Sequence, residues 1–264
     1  MSELARMGVI GARGWLGGAI VAAILDAGYR RPEDLTLSYR NRQPEGPAGA
    51  HWTTDNQELV DRSDVVIVSV RPEDFPALRL SAEGKLVISV MAGVPLDQLE
   101  SHLGAARVVR SMPNAAASVR ASYTPWYPGE ACTADDRALV STLFRVCGVA
   151  DEVGSEGQLD YFAALTGTGP AYHALLADTL RRDAIARGIA PDVAARATTT
   201  LLLGSAKLME HDGRPVSDVV AEFIDYAGMT AAALQSMRDA PLSAVVGRGI
   251  DAALERARSL QNTS

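Results

Sequence analysis

The chain has 264 residues, of which 47% are hydrophobic and 22% charged, and its formal net charge is −7. This length favours two modest domains with real cores, and the apolar content excludes a disordered chain. The negative charge argues against nucleic-acid and membrane-surface partners, because surfaces that bind phosphates are basic. No apolar run reaches the roughly 18 residues of a bilayer span, and the N-terminus lacks a secretory layout, so we expect a cytoplasmic protein.

The reactive side chains narrow the chemistry further. Cys132 and Cys147 are the only cysteines, and the four histidines lack the spacing of metal ligands, so we predict neither a disulfide framework nor a metal site. Neither a Gly-x-Ser-x-Gly elbow nor a Gly-x-x-x-x-Gly-Lys-Ser/Thr loop occurs. Hydrolase triads, zinc enzymes and P-loop ATPases are therefore excluded.

The first 110 residues alternate short apolar runs with helical patterns. Strands are predicted at 7–10, 35–39, 65–70, 86–90 and 108–110, and helices at 15–27 and 55–62. The run at 65–70 is almost continuously β-branched, which is typical of a strand covered on both faces. Strands that alternate with helices predict a parallel sheet, so this half is α/β.

The second half has a different texture. From about residue 156 the sequence is rich in alanine and has no β-branched strand run, and helices are predicted to begin at Gly169-Pro170 and Pro191-Asp192. The predicted organisation is a dinucleotide-binding α/β domain at 1–155 and an all-α domain at 156–264.

A glycine turn joins the first strand to the first helix. Gly11, Gly14 and Gly17 are spaced Gly-x-x-Gly-x-x-Gly. Glycines at this place let the backbone approach a pyrophosphate, which the helix N-terminus also attracts. The alternative is a turn that serves packing alone. Arg13 either leans toward a phosphate or is a solvated turn residue.

The end of the second predicted strand indicates which nicotinamide cofactor is used. NAD enzymes place an acid there for the ribose 2′-hydroxyl, whereas this chain has Ser38-Tyr39-Arg40-Asn41-Arg42. Two guanidinium groups suit a 2′-phosphate. NADP is therefore predicted, with a solvated basic loop as the alternative.

Five further segments, in order over nearly the whole chain, resemble the pyrroline-5-carboxylate reductase family. They are Ser69-Val70-Arg71-Pro72, Ile88-Ser89-Val90-Met91-Ala92-Gly93-Val94, Val109-Arg110-Ser111-Met112-Pro113-Asn114, Leu165-Thr166-Gly167-Thr168-Gly169-Pro170-Ala171-Tyr172 and Leu203-Gly204-Ser205-Ala206-Lys207-Leu208-Met209. The resemblance implies an N-terminal Rossmann domain followed by a helical domain that interlocks with a second subunit. It also implies reduction of a cyclic imine to proline with NAD(P)H.

The resemblance assigns cofactor-binding roles to matching positions. The pyrophosphate would lie on the segment Gly11, Ala12, Arg13, Gly14, Trp15 and Leu16. The 2′-phosphate end would be held by Ser38 and Arg40, to which the basic loop adds Arg42, and the adenosine side by Asn56. The ribose would lie on Val70, Arg71 and Pro72, and the nicotinamide near Met91 and Ala92.

One segment departs from the family pattern. Family members carry a Ser-Pro-Gly-Gly-Thr-Thr-like loop for the substrate carboxylate, and this chain has Asp225-Tyr226-Ala227-Gly228-Met229-Thr230. Asp225 takes the place of the serine, and an ionised Asp225 a few ångströms from that carboxylate repels it by roughly 4 kcal/mol at an effective dielectric near 20. The alternative is that Asp225 caps the helix that starts near Gly228.

Three functions remain open from the sequence. The first is an ordinary pyrroline-5-carboxylate reductase, the second an NADPH-dependent reductase of another small imine without the carboxylate, and the third a nucleotide-binding homologue without turnover. For the enzyme, the catalytic candidates are Thr230, Asp225 and Tyr172, and the substrate-binding candidates are Asp225, Gly228, Met229 and Thr230. The resemblance also implies a homodimer or a multiple of dimers.

Overall fold

The computed structural model describes residues 5–41 and 46–261. Contacts divide the chain into two compact units. One unit holds the chain up to Thr168 together with the segment from Ala253 onward, and the other is Gly169–Ala252.

The first unit is built on a mixed sheet, eight-stranded within the described residues. The strands are β1 (Met7–Ile10), β2 (Leu35–Ser38), β3 (His51–Thr53), β4 (Val65–Val68), β5 (Leu86–Ser89), β6 (Arg107–Ser111), β7 (Ser122–Pro128) and β8 (Gly148–Glu152). Their order is β3-β2-β1-β4-β5-β6-β7-β8. All neighbours pair in parallel except β6 and β7, which are antiparallel.

Helices cover both faces of this sheet. They are α1 (Trp15–Asp26), α2 (Asn56–Asp61), α3 (Leu96–Leu103), α4 (Ala134–Arg145) and α5 (Glu156–Phe162). One core contains α1 and α4 side chains such as Ile20 and Phe144, and the other contains α2 and α3 side chains such as Leu59 and Leu99. Along β4, Val65 and Ile67 enter the first core and Val66 and Val68 the second. This alternation is why β4 is apolar at every position.

A buried arginine attaches α5 to the sheet. The Arg110 guanidinium on β6 lies 2.5 Å from a Glu156 carboxylate oxygen and 2.9 Å from an Asp160 oxygen, and its side chain is 2% exposed. Glu156 also accepts a hydrogen bond from the Leu96 N–H at 2.9 Å. A buried cation needs such partners, so these contacts fix where the chain leaves the sheet.

The second unit is helical. Its elements are α6 (Gly169–Ala186), α7 (Pro191–Asp212), α8 (Val216–Asp225), α9 (Met229–Asp239) and the first part of α10 (Leu242–Gln261). Within the described chain, α6, α8 and α9 contain no buried residue. Over the described ranges, no helix is both long and apolar enough to cross a bilayer.

The predicted fold class is confirmed: a Rossmann-type α/β domain is followed by helices. The predicted strands and helices in the first 110 residues lie within a few residues of β1, β2, β4, β5, β6, α1 and α2. The five predicted strands pair in parallel, as expected. The sheet becomes mixed only at β7, which lies beyond the first 110 residues and runs antiparallel to β6. The strands β3, β7 and β8 and the helices α3 and α4 were not predicted from the sequence.

Candidate active site

A groove of about 910 Å³ opens at the carboxyl ends of β1, β2 and β4. The strand order reverses between β1 and β4, and open α/β sheets bind ligands at such a point. Eight of the predicted cofactor residues line the groove, namely Gly11, Arg13, Gly14, Ser38, Arg40, Asn56, Val70 and Arg71. Its volume suits a small-molecule ligand.

The glycine turn has little room for side chains. Gly11 has φ +77°, and a Cβ there would lie 2.4 Å from the Ser69 carbonyl oxygen. A Cβ on Gly17 would lie 2.5 Å from the Gly11 carbonyl oxygen. Gly14 precedes α1, and no side chain from the described residues caps this helix. The turn therefore fits a dinucleotide pyrophosphate, which accepts hydrogen bonds from a helix N-terminus.

The end of β2 supplies the other part of the groove. The Gly11 N–H donates to Ser38 Oγ at 3.2 Å, which ties β2 to the glycine turn. Arg40 follows and donates to an Asp74 carboxylate oxygen at 2.7 Å. Arg42, the second predicted guanidinium, lies outside the described residues.

Asn56 is the first residue of α2, directly after the turn that follows β3. Asp55 caps α2 by accepting from the Gln57 and Glu58 N–H groups. The Glu58 carboxylate accepts from Thr53 Oγ1 at 2.6 Å and lies 2.7 Å from His51 Nε2. These hydrogen bonds lower the pKa of Glu58, and the one from Thr53 has the largest effect. They also hold the turn between β3 and α2, and with it the position of Asn56 at the start of α2.

Six predicted cofactor residues do not line the groove: Ala12, Trp15, Leu16, Pro72, Met91 and Ala92. Trp15 is 67% exposed at the start of α1, whereas Ala12 and Met91 are buried. Met91 and Ala92 come one residue after the end of β5, at the same edge of the sheet as the groove. Their roles stay predictions.

The segment after β6 contacts a wide turn that follows α5. Ala163–Gly167 form a π-helical turn, a feature that is frequent at functional sites. The Asn114 side-chain amide donates to the Thr166 carbonyl oxygen at 3.0 Å, and its oxygen accepts from the Ala116 N–H at 2.9 Å. Asn114 thus joins the carboxyl edge of the sheet to this turn.

The predicted substrate loop lies between α8 and α9. Asp225 is the last residue of α8 and Thr230 lies in the first turn of α9. The alternative that Asp225 caps α9 was wrong, because the N-cap is Gly228 and no side-chain cap bond is made there. Ala227 adopts φ +48°, so the chain turns before Asp225 can reach the start of α9. Among the described residues the Asp225 carboxylate has no hydrogen-bond or ion-pair partner.

This loop is exposed in the single chain. Met229 is 92% exposed and Tyr226 is 85% exposed. Tyr172, the third catalytic candidate, is half-buried on α6. Large apolar side chains across the helical unit are also exposed, including Leu175, Leu203, Leu208, Val216 and Phe223. Exposed apolar patches of this kind mark an interface.

Sequence reasoning missed several groove residues. Tyr39, Asn41, Thr54, Ser69, Glu73 and Asp74 line the groove without having been assigned a role. Asp74 lies two residues after the Ser69–Pro72 segment, but nothing in its spacing indicates that it contacts Arg40. Asn114 ends the Val109–Asn114 segment of the resemblance, but its contact with Thr166 forms only when the chain folds and brings the two distant residues together.

Comparison with known protein families matches both halves of the chain. Residues 156–260 match the family model described as pyrroline-5-carboxylate reductase dimerisation. Residues 6–93 match the model described as NADP oxidoreductase, coenzyme F420-dependent. The dimerisation match shows that the chain forms a homo-oligomer. The first match begins at Glu156, whereas the compact units separate after Thr168, and the predicted domain boundary stays a prediction.

Full-length relatives agree with these matches. The chain is 30% identical to a pyrroline-5-carboxylate reductase from Methanosarcina acetivorans, with 98% of each chain covered. A solved structure of a pyrroline-5-carboxylate reductase from Coxiella burnetii superimposes with a TM-score of 0.86 at 29% identity, covering 98% of this chain and 99% of that one. The fold is shared with the Plasmodium falciparum pyrroline carboxylate reductase with NADP bound, which has a TM-score of 0.81 at 22% identity and coverage of 97% and 98%.

Proposed function

Because the chain belongs to the pyrroline-5-carboxylate reductase family, we propose that it reduces the C=N bond of pyrroline-5-carboxylate to proline with NADPH. One observation carries the proposal. A glycine turn fit for a pyrophosphate and an arginine fit for a 2′-phosphate line one groove at the reversal point of the sheet. The NADP oxidoreductase match over 6–93 and the NADP-bound Plasmodium falciparum relative support NADP(H) as the cofactor.

In this reaction the protein contributes by positioning the reactants and by stabilising charge. NADPH, when bound, supplies a hydride to the imine carbon while the imine nitrogen gains a proton, which gives an amine and NADP⁺. The protein has to orient the two reactants, keep water away and favour the protonated imine.

Residues of the first unit hold the cofactor in this proposal. The segment Gly11–Leu16 binds the pyrophosphate through backbone N–H groups, as α1 begins there. Ser38, Arg40 and Arg42 hold the phosphorylated ribose, and Asn56 holds the adenosine. Val70, Arg71 and Pro72 line the second ribose, and Met91 and Ala92 lie beside the nicotinamide.

Residues of the helical unit bind the substrate in this proposal. Thr230 forms a hydrogen bond near the imine nitrogen, with Tyr172 as the alternative. The Gly228 and Met229 backbone, at the start of α9, faces the substrate carboxylate. A helix N-terminus attracts an anion, so this loop retains an attraction for a carboxylate despite Asp225.

The assembly is proposed to be a homodimer or a multiple of dimers, with the loop from Asp225 to Thr230 near the subunit boundary. The exposed apolar side chains of the helical unit support this arrangement. Light scattering at micromolar concentration tests it, and a monomer contradicts it. The cytoplasm is the proposed location of the enzyme.

Asp225 favours a second candidate, an NADPH-dependent reductase of a small imine that lacks the carboxylate. Its carboxylate is exposed and has no ion-pair partner among the described residues. An ionised acid there favours a cationic imine and disfavours an anionic substrate.

One experiment decides between the two candidates. NADPH oxidation is followed with pyrroline-5-carboxylate and with cyclic imines that lack the carboxylate, for the native chain and for Asp225→Ser. Asp218→Ser, on the other end of α8, removes the same charge and is the matched control. If Asp225 selects against carboxylates, Asp225→Ser raises the kcat/KM ratio for pyrroline-5-carboxylate over the other imines by about ten-fold. An unchanged ratio with active pyrroline-5-carboxylate reduction leaves the first candidate, and no reduction of any imine overturns both.

A further inference from the structure

The groove brings an acid to the place where the cofactor's 2′-group is expected. Arg40 follows β2 and Asp74 lies in the 3₁₀ segment Pro72–Ala77 after β4, and both line the groove. Their side chains meet through one Arg40 nitrogen and one Asp74 oxygen, 2.7 Å apart. Thirty-four positions separate them in the chain.

The two partners are held to different degrees. The Asp74 N–H donates to the Arg71 carbonyl oxygen at 2.9 Å, and the next residue, Phe75, is fully buried. Asp74 is 34% exposed, whereas the Arg40 side chain is 70% exposed. The acid is therefore anchored in the groove wall, and the arginine is the partner that has freedom to move.

This arrangement has opposite effects on the two nicotinamide cofactors. A 2′-phosphate bound by Arg40 lies beside the Asp74 carboxylate and is repelled by it. A 2′-hydroxyl can instead donate a hydrogen bond to the same carboxylate. In NAD-binding sheets, an acid at the end of the second strand accepts this hydrogen bond. Here that acid comes from a different strand end.

We propose that Asp74 is a specificity-determining residue that weakens the preference for NADPH and allows NADH to bind. The inference rests on the proposed function only in the use of a nicotinamide dinucleotide in this groove. It does not depend on which imine is reduced.

Binding measurements without any imine test the proposal. Calorimetry with NADPH, NADH, adenosine 2′,5′-bisphosphate and adenosine 5′-monophosphate is compared for the native chain, Asp74→Asn and Glu73→Gln. Glu73 is the neighbouring acid of the same groove, and it faces Arg71 at 3.8 Å rather than Arg40. Asparagine keeps the size of Asp74 and removes only its charge.

We expect Asp74→Asn to raise the ratio of NADPH to NADH affinity by about ten-fold, and the bisphosphate to monophosphate ratio similarly. Glu73→Gln is expected to change these ratios by less than about three-fold, because the Glu73 carboxylate does not contact Arg40. Weaker NADPH binding in Asp74→Asn would instead show that Asp74 only orients Arg40, and equal shifts in both variants would show a general charge effect; either result overturns the proposal.

The outcomes for the inference and for the proposed function are separable. A shifted affinity ratio in a chain that reduces no imine leaves the inference standing and removes the proposed function. If the chain reduces pyrroline-5-carboxylate but Asp74→Asn leaves the NADPH to NADH affinity ratio unchanged, the proposed function stands and the inference is overturned.

Discussion

The Asn114 side-chain amide donates to the Thr166 carbonyl oxygen at 3.0 Å and so connects the loop after β6 to the π-helical turn Ala163–Gly167. The same side chain accepts from the Ala116 N–H, which fixes the orientation of its amide. Parallel α/β sheets bind their ligands at this carboxyl edge. The contact therefore ties the π-helical turn to this edge of the sheet within the first unit.

Asn114→Asp separates the two hydrogen bonds of this side chain. The carboxylate still accepts from Ala116, but it no longer donates to Thr166 and it faces a carbonyl oxygen instead. We expect a loss of about 1–3 kcal/mol in the free energy of unfolding, measured by urea denaturation at fixed protein concentration. Ser118→Ala, at an exposed position of the 3₁₀ segment Ala115–Val119, is the control and should cost under about 0.5 kcal/mol. Equal stability of the Asn114→Asp variant and the native chain contradicts the importance of the Thr166 contact.

Gly17→Ala tests the close approach of α1 to the glycine turn. The new Cβ would lie 2.5 Å from the Gly11 carbonyl oxygen, which is backbone and cannot rotate away. We expect destabilisation of about 1–3 kcal/mol by overpacking and weaker NADPH binding, measured by thermal unfolding and by calorimetry. The next residue provides the comparison, because a Cβ on Gly18 lies 3.3 Å from the Ala12 carbonyl oxygen. Gly18→Ala should be the milder change of the two, and the reverse order contradicts the packing argument.

Glu100→Gln tests the cost of a half-buried carboxylate on α3. Burial is the main cause that raises the pKa of Glu100 above its usual value of 4.5. Repulsion from the nearby carboxylates of Asp97, Glu130 and Glu156 raises it further. The folded chain thus holds this proton more tightly than the unfolded chain, so native stability falls as the pH rises through and above 4.5. We expect the glutamine substitution to stabilise the protein at pH 7, by up to about 1 kcal/mol, and to give no gain below pH 4.5.

Unfolding of the Glu100→Gln variant is measured between pH 4 and pH 8. Glu83→Gln, at an exposed turn, is the control for the loss of one negative charge. A stabilisation that is the same at pH 4 and pH 7 rules out the titration of Glu100 as its cause.

Thiol labelling tests the environment of the two cysteines. Both are free and buried, and burial raises the pKa of Cys147 to about 11 and also raises that of Cys132. Because only the thiolate reacts, labelling of the native protein at pH 8 should be at least ten-fold slower than that of the unfolded chain. Both thiols should react at once in denaturant, which serves as the control. Fast labelling of the native protein at pH 8 excludes the buried environment.

Much of the first unit could be predicted from the order of its residues. The run at β4 is apolar at each position because alternate side chains enter two cores, and the glycine turn follows β1 because only glycine tolerates φ +77° beside the Ser69 carbonyl. These features depend on the periodicity of apolar residues and on backbone sterics, and both can be read from a short stretch of sequence.

The missed strands depend on their neighbours. β3 has three residues, of which His51 and Trp52 are only half-buried, and β7 contains Pro125 and Pro128, which argue against a strand when read alone. Proline removes a backbone donor, so its place in a strand is decided by which edge faces a partner. In β7 that partner is β6 on one side and β8 on the other, and the sequence does not name them.

The sequence by itself determined the fold class, the glycine turn and the arginine at the end of β2, since each follows from residue type and short-range spacing. Only the tertiary structure decided that Asp74 meets Arg40, that Asn114 meets Thr166 and that Asp225 ends α8 rather than capping α9. The physical reason is that side-chain contacts between distant segments depend on strand order and loop path. Hydrophobic periodicity specifies which face of an element is buried, whereas it carries no information about which distant side chain lies across from it.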